Sequence, residues 1–157
     1  MIKRIETWID SINAKYQPQR KPCSIFADEF SGFYSEQFLE DSYFVVIEET
    51  PKPNFPELRS VGLGDFIDME VNGITYKNTY YVHPRCTGEL RLHFHELVHV
   101  AQWKLLGAQH FITRYISEMQ NYGYRDAPLE QMAYTLDGHY SQGGAPVDVA
   151  NYVQSRL

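Results

Sequence analysis

The stretch "RLHFHELVHVAQW", residues 91–103, carries three histidines and one glutamate among leucine, phenylalanine and valine. If it is helical, His95 and His99 project about 40° apart, one turn above the other. Two imidazole nitrogens placed in this way can reach one ion at about 2.0–2.1 Å, the usual distance for zinc. Glu96 lies beside this face, where its carboxylate can reach water on the metal without binding the metal itself. The stretch therefore predicts two metal ligands and a general base, in the pattern H-E-x-x-H.

The third histidine, His93, is about 200° around the helix from His95, so these two side chains cannot share one ion. We expect His93 to be a structural histidine or to lie at the polar edge of the helix. The alternative to a metal site is a core helix whose histidines only satisfy hydrogen bonds. An apolar stripe predicts packing into the core in either case. Its members are Leu90, Phe94, Leu97, Val98, Ala101 and Leu105.

Composition and charge exclude several classes of protein. The chain has 157 residues and a net charge of −6, which argues against a nucleic-acid module or a binder of anionic membranes. No apolar run approaches the roughly 20 residues that span a bilayer, and the N-terminus lacks the continuous apolar segment of a signal peptide. We therefore expect a cytoplasmic protein whose two cysteines, Cys23 and Cys86, are reduced thiols. A single disulfide between them would also fit the count.

The N-terminal part is predicted to contain helical segments followed by a strand. Apolar residues at helical spacing predict a helix over residues 1–17 that docks on the rest of the chain. Residues 23–42 carry phenylalanines at mixed helical spacing, so we expect them to be helical too. The run "YFVVIEE" (43–49) is aromatic and β-branched, which predicts a strand. Residues 50–58 hold three prolines, and we expect a loop there.

The next segment shows the alternation of a β-hairpin. Asn72 and Gly73 form the dipeptide most typical of a tight two-residue turn. The alternating segments on either side, 66–71 and 74–81, predict two antiparallel strands that this turn connects. We expect Pro84 to end the second strand.

The remainder of the chain is predicted to be helical. The metal-binding helix spans about residues 88–106, with Thr87 as its N-cap, Glu89 in its first turn and Gly107 as its C-terminal stop. Further helices are expected at 109–123, at 125–140 with Asp126 and Pro128 as start signals, and near the C-terminus after a flexible turn.

The order of helices, strands and helices indicates an α+β fold, in a single domain of residues 1–157. We expect N-terminal helices in 1–40 and a small, mainly antiparallel sheet in 43–83. The metal-binding region would occupy 88–157, with its first helix packed against the others.

A catalytic zinc site needs a third protein ligand and keeps one open position. No third histidine stands at H-x-x-G-x-x-H spacing, because Gln102 and Leu105 occupy those places, which disfavours the metzincin arrangement. Glu130 is the leading candidate, since it lies near the start of a later helix that can return antiparallel to the first. The weaker candidates are His139, Asp126, Glu118 and Asp137. Of these, we expect Glu118 on a solvated face and Asp126 in a helix cap.

Two segments resemble a known family. "HELVHVAQWKLLG" followed by "YGYRDAPLEQMAY" is similar to the gluzincin side of the zincin metallopeptidases, and particularly to small bacterial zincin-like domains with "HELxHVxQ" and a later "PLExxA". The resemblance covers residues 88 to about 136, and the first 60 residues do not share it. It implies that His95, His99 and Glu130 bind Zn²⁺, with Glu96 as the general base that activates the metal-bound water.

The family resemblance also implies an activity, the hydrolysis of peptide bonds in a peptide or protein substrate. An edge strand within "ITYKNTYYV" would hold that substrate in an extended form. The oxyanion formed in the reaction needs a donor besides the metal. Tyr134 is our first choice, because it lies four residues after Glu130 on the same helix face. Tyr124, Tyr122 and His139 are the alternatives.

The tripeptide "PRC" (84–86) resembles the cysteine switch of matrix metallopeptidase prosegments. Cys86 precedes His95 by nine residues, so a helical interval would hold its thiol some 13 Å from the ion. We therefore expect Cys86 to be an ordinary buried or surface cysteine rather than an inhibitory ligand, and we expect the same of Cys23.

Two other functions compete with a zinc peptidase. A catalytically silent or latent zincin-like module would bind zinc and act through a partner, and a fourth protein ligand or a C-terminal segment (141–157) lying in the cleft would favour it. The third hypothesis is an α+β interaction domain without metal.

Overall fold

The computed structural model describes all 157 residues and has the predicted α+β fold. Its strands are β1 (Lys21–Pro22), β2 (Tyr43–Val46), β3 (Gly73–Tyr76) and β4 (Thr79–Val82). Its helices are α1 (Ile2–Tyr16), α2 (Glu36–Glu40), α3 (Pro56–Leu58), α4 (Gly64–Asp68), α5 (Leu90–Leu106), α6 (Ala108–Tyr122), α7 (Pro128–Ser141) and α8 (Val149–Arg156). None of these helices is both long enough and apolar enough to cross a membrane.

The four strands form one mixed sheet in the order β1-β2-β4-β3. The outer pairs β1–β2 and β3–β4 are antiparallel, while β2 and β4 run parallel. The sheet is therefore mainly antiparallel, as predicted. Strand β3 lies at its edge and packs against α5, so this edge of the sheet borders the H-E-x-x-H segment.

The predicted hairpin is wrong in position. Residues 64–68 form α4 instead of a strand. The hairpin of β3 and β4 occupies the predicted second strand, 74–81, and one further residue at each end. Lys77 begins its two-residue turn with a φ of 61°. Gly73 is not a turn residue but the first residue of β3. A Cβ there would lie 3.2 Å from the side chain of Glu96, so glycine is favoured by close approach rather than by turn geometry.

The N-terminal predictions hold in part. Helix α1 forms as expected and buries Ile5 and Ile9. Residues 23–42, expected to be helical, contain only a 3₁₀ turn at Cys23–Phe26 and the short α2. The backbone at Gly32 has a φ of 84°, which does not fit an α-helix. The expected loop at 50–58 ends early, because α3 begins with proline at its first position, where no backbone N–H is needed.

Helix α5 is buried on all sides rather than along one stripe. Every side chain from His93 to Trp103 is buried, because α5 packs against α6, α7, α8, β3 and β4. Only the end of the predicted stripe fails, since Leu105 is 42% exposed. The helix starts at Leu90 with Glu89 as the N-cap residue, and the expected cap, Thr87, donates its hydroxyl to the Pro84 carbonyl instead.

The helix ends where the sequence predicted. Gly107 has a φ of 79° and donates its N–H to the Trp103 carbonyl. Helix α6 follows directly, and the later helices match their predicted positions within a few residues. Of the two residues predicted to start α7, one is confirmed and one is wrong. Pro128 is its first residue, but the N-cap is Ala127 rather than Asp126.

Two hydrophobic clusters meet at α5. One contains Phe30, Phe94 and Leu97 together with Val153 from α8. The other contains Ile9, Trp103 and Phe111. Because α8 belongs to the first cluster, the C-terminal segment contributes to the core.

His93 is a structural histidine at the centre of a buried polar chain. Its Nε2 lies 2.7 Å from the Thr87 carbonyl oxygen, which can only accept, so Nε2 carries the proton. Its Nδ1 then accepts from the Tyr80 hydroxyl at 2.7 Å, and the Cys23 thiol donates to that hydroxyl at 3.5 Å. Burial lowers the pKa of His93, so the ring stays neutral. Cys23 and Cys86 are both buried and not bonded to each other, as expected of free thiols.

Replacing Tyr80 by phenylalanine should lower the free energy of unfolding by about 1–3 kcal/mol. The ring remains, but Nδ1 of His93 loses its donor inside the protein. Urea unfolding followed by circular dichroism measures the change. The matched control is Tyr140→Phe, a partly buried ring stacked on Phe94, which should change stability by no more than about 0.5 kcal/mol. Equal losses in the two variants would contradict a role for the hydrogen-bonded chain.

Candidate metal centre

Three of the predicted residues come together between α5 and α7. Nε2 of His95 and Nε2 of His99 each lie 3.1 Å from Oε1 of Glu130. One candidate ligand atom from each residue falls within 4.8 Å of the others, and all three residues are buried. The group could therefore hold a metal ion. Its geometry follows from the turn-to-turn spacing of the histidines on α5 and from Glu130 in the first turn of α7.

The Nδ1 atoms of both histidines, which are the ring nitrogens that do not face Glu130, are hydrogen-bonded to oxygen atoms. Nδ1 of His95 lies 2.7 Å from a carboxylate oxygen of Asp137, and Nδ1 of His99 lies 2.7 Å from Oε1 of Gln102. The Gln102 amide is oriented by its Nε2, which donates to the Leu129 carbonyl. Each Nδ1 must then donate, which leaves the lone pair of a neutral imidazole on Nε2.

This arrangement suits a cation. Two Nε2 lone pairs that face one carboxylate oxygen repel it unless a proton or a metal ion lies between them. Metal-binding histidines usually donate their other N–H to a carboxylate or carbonyl oxygen, which fixes ring orientation and raises basicity. The chain supplies such partners in Asp137 and Gln102. The residues present therefore fit a metal ion with two nitrogen ligands and one oxygen ligand.

The pKa values show the same demand for positive charge. Burial lowers the pKa of His95, but hydrogen bonds to Asp137 and Glu130 outweigh burial and raise it to about 10. Burial also lowers the pKa of His99, but the negative charge of Glu130 outweighs burial and raises it. For Glu130, burial raises the pKa, yet the charge of His99 and the hydrogen bonds from both histidines hold it well below its usual range.

Glu130 is held by contacts from α6. Tyr115 donates its hydroxyl to Oε2 of Glu130 at 2.7 Å, which leaves Oε1 for the two histidines. Glu118 accepts the backbone N–H of Leu129 at 2.8 Å and pairs with Arg114. Glu118 was expected on a solvated face, but it is buried. The reason is that it satisfies an N–H in the first turn of α7.

Glu96 lies beside the three residues without belonging to their group. Its Oε2 is 3.9 Å from Nε2 of His95, and its Oε1 accepts from the Thr75 hydroxyl at 2.8 Å. The side chain packs over Gly73, whose lack of a Cβ makes room for it. Burial raises the pKa of this carboxyl. The edge strand β3 thus fixes the position of Glu96 next to the candidate metal ligands.

Tyr134 lies near the site and remains partly open. Its ring centroid is 4.7 Å from that of His95, and the side chain is 37% exposed. Among the alternatives, Tyr124 lines a pocket that Glu96, His99 and Glu130 also line. Tyr122 is largely exposed to solvent. The Nε2 atom of His139 is hydrogen-bonded to the Ala145 carbonyl oxygen.

The other expected candidates lie elsewhere. Asp126, Glu118 and His139 are not part of the three-residue group, and neither cysteine is. Asp137 was considered as a ligand, but it instead bridges His95 and Arg91.

An apolar pocket opens beside the candidate metal ligands. Glu96, His99 and Glu130 line one part of it. The rest is mainly apolar and comes from α1, residues 53–71, β3, α5, α6 and Tyr124. No residue of 141–157 lines this pocket, so the C-terminal segment does not occupy it.

Searches against protein-family models, curated proteins and solved structures found no match for this chain. The similarity to gluzincins therefore stays a prediction based on the two quoted segments.

Sequence reasoning missed four supporting residues: Asp137 as a hydrogen-bond partner of a histidine, Gln102, Tyr115 and Thr75. For two of these residues, the sequence contains a spacing that could have indicated the contact. Gln102 is three residues after His99, and Asp137 is seven residues after Glu130, so each shares a helix face with a predicted ligand. Tyr115 and Thr75 come from other elements, and nothing in the local sequence indicates their contacts.

Replacing Asp137 by asparagine should weaken Zn²⁺ binding by about 10–100-fold, because the neutral amide holds the His95 N–H less strongly. Competition with a chromophoric chelator measures the affinity. Arg91→Gln is the matched control, since it removes the other partner of Asp137 and leaves the histidine contact in place. Its affinity should stay within about threefold of the unmodified protein. Unchanged zinc affinity in Asp137→Asn would contradict this role.

The metal-free protein should lose stability as pH rises from about 6.5 toward 10. The pKa of His95 is higher when folded than its ordinary value of 6.5, so its stabilising effect is complete below pH 6.5. Above that pH the unfolded chain loses the proton first. Urea unfolding with chelator present tests this. The decline should shrink in His95→Gln and persist in His110→Gln, an exposed histidine.

Zinc should reverse this trend, because its ligands must be deprotonated. The stabilisation by a fixed zinc concentration is expected to grow from pH 6 to about 8. The absence of any growth would contradict binding through the two Nε2 atoms.

Proposed function

We propose that this protein is a zinc-dependent peptidase in which Glu96 acts as the general base. The observation that carries the proposal is the buried Glu96 carboxylate, held 3.9 Å from Nε2 of His95 yet outside the three-residue group. A purely structural metal site has no need of such a carboxylate. Zinc suits two imidazoles and one carboxylate, and three protein ligands leave a fourth position open.

A bound Zn²⁺ supplies a Lewis acid that polarises the scissile carbonyl and makes water more acidic. Glu96 accepts the proton of the attacking water and returns it to the leaving amine. Thr75 orients this carboxylate by donating to Oε1, so Oε2 is the atom free to take the proton. The burial that raises the pKa of Glu96 also makes its carboxylate a stronger base.

Tyr134 is the proposed donor to the developing oxyanion. Its ring borders His95, and partial burial raises the pKa of its hydroxyl. The phenol therefore stays protonated at neutral pH, and it can donate a hydrogen bond as charge develops.

A catalytically silent zinc module that acts through a partner is the second candidate. The observation that favours it is the burial of the site, since His95, Glu96, His99 and Glu130 are each at most 4% exposed. A substrate must reach them by way of the adjoining pocket, whereas a stabilising ion needs no such access.

The variant Glu96→Gln should lose about 10²–10⁴-fold in kcat while it retains one equivalent of zinc. The amide keeps the shape of the side chain but cannot accept the proton. Zinc-loaded protein is incubated with a mixture of peptides of varied sequence, and products are identified by mass spectrometry. The matched control is Glu89→Gln, an exposed residue at the start of the same helix, which should retain full activity.

Equal turnover by Glu96→Gln would contradict the proposed mechanism. Zinc binding with no cleavage of any peptide, together with a melting temperature that falls on chelation, would support the silent module instead. If the protein does not bind zinc, both zinc-dependent hypotheses are excluded, and the interaction domain without metal is the remaining one.

A further inference from the structure

Residues 51–72, which we call the flap, form one wall of the apolar pocket. The flap contains α3 and α4 and lies between β2 and β3 in the chain. It places Leu58, Leu63 and Phe66 in the lining of the pocket, while most of its other residues are exposed. The flap therefore separates the pocket from solvent on this side of the molecule.

Side-chain hydrogen bonds join distant parts of the flap to one another. The Arg59 guanidinium donates to Oδ1 of Asn54 at 2.8 Å and to the two carboxylate oxygens of Asp68 at 2.7 and 2.9 Å. The Lys52 ammonium donates to the Met69 carbonyl. Because these contacts are internal, the flap keeps them when it moves as one body.

The two ends of the flap are fixed by hydrogen bonds to other residues. At one end, the Tyr76 hydroxyl donates to the Pro51 carbonyl at 2.6 Å. At the other end, the His83 N–H donates to the Asn72 carbonyl at 2.9 Å, and Arg85 donates to Oδ1 of Asn72. Lids in enzymes move about a few hinge residues, so fixed ends are compatible with movement of the residues between them.

Between its ends, the flap is hydrogen-bonded to the rest of the protein by two side chains, Arg4 and Gln120. Arg4 pairs with Glu57 at 2.6 Å, where both side chains are more than half exposed, and its guanidinium lies over the Phe55 ring. Gln120 on α6 donates to the Val61 carbonyl at 2.9 Å in an exposed position. Exposed contacts contribute little to stability, so little polar interaction opposes an opening of the flap.

The apolar packing beneath the flap is incomplete. Leu58 and Leu63 are buried, yet both line a pocket with a volume of about 80 Å³. This volume exceeds the roughly 10–15 Å³ that one water needs on the same measure. Atoms that face a void lack contacts on that side, so closure stabilises the flap less than complete packing would.

We propose that the flap is a lid that opens about its two ends and admits a ligand to the pocket. With the flap closed, Glu96 is 3% exposed and His99 is 4% exposed, so a peptide backbone needs a wider entrance to reach them. The other walls of the pocket are mainly the sheet edge and helices of 15 to 17 residues. The entry of a peptide substrate rests on the proposed peptidase function, whereas the opening itself does not.

Thiol labelling tests the opening without metal or substrate. Ile112 lines the pocket from α6 and is buried. The thiol of Ile112→Cys should react with dithionitrobenzoate at least about 100-fold faster than the native Cys23, because local opening needs less free energy than global unfolding. Cys23 is fully buried outside the pocket and serves as the internal control. Equal rates for the two thiols would overturn the proposal, and Ile116→Cys on the same wall replaces Ile112→Cys if that variant does not fold.

Weaker attachment of the flap should speed this reaction. The variant Arg4→Ala with Gln120→Ala removes both hydrogen bonds to the middle of the flap, and it should raise the labelling rate of the introduced thiol by about three- to tenfold. The matched control, Lys3→Ala with Asn121→Ala, changes exposed neighbours on the same two helices and should leave the rate unchanged. A general loss of stability would speed the labelling of Cys23 as well, so equal acceleration of both thiols, or no acceleration, would overturn the lid.

Cross-linking separates the lid from the peptidase. Val61→Cys with Gln120→Cys places two thiols where the flap meets α6, and a bis-methanethiosulfonate reagent joins them until a reductant is added. Zinc-loaded protein should cleave peptides at least about tenfold more slowly when cross-linked and recover with reductant, while the single variant Gln120→Cys should not respond to the reagent.

Undiminished cleavage by the cross-linked protein would overturn the lid and retain the peptidase. Fast labelling of the Ile112→Cys thiol without cleavage of any peptide would refute the peptidase and retain the lid.

Discussion

Helix α5 is surrounded by protein on every side, and its polar side chains must therefore be satisfied by protein groups or by a bound ion. This constraint organises the structure around the helix. Strand β4 brings Tyr80 to His93, strand β3 brings Thr75 to Glu96, and α7 brings Asp137 to His95. These hydrogen bonds act together with apolar packing to hold the sheet and α7 against α5.

At the Glu130 carboxylate, the hydrogen bonds within the protein leave a negative charge next to two imidazole lone pairs. Both imidazoles turn an Nε2 atom toward one of its oxygens, while their Nδ1 atoms are already committed. Tyr115 holds the second oxygen. A proton or a metal ion relieves the repulsion among these lone pairs, and the raised pKa of His95 and the lowered pKa of Glu130 both follow from this local field. The same geometry packs three buried polar side chains into the fold and brings them close enough together that they could hold a metal ion.

The sequence predicted which three residues come together better than it predicted the sheet. Histidines four residues apart on a helix share a face whatever surrounds them, so His95 and His99 follow from helical geometry alone. Glu130 was placed by its position near the start of a later helix, and its carboxylate does meet both histidines. The strand predicted for 66–71 failed because Phe66 and Ile67 pack against the apolar pocket from a helix. Alternation of polar and apolar residues could not reveal that tertiary contact.

By itself, the sequence determined the α+β class, the extent and end of α5, and which histidines could share an ion, because helical periodicity and a C-terminal glycine act locally. Only the tertiary structure decided the burial of His93, the support of Glu130 by Tyr115, and the place of Gly73 under Glu96. Each of these depends on a partner far away in the chain. The unpaired N–H of Trp103 belongs to the same class, since a missing partner is visible only when every neighbour is in place.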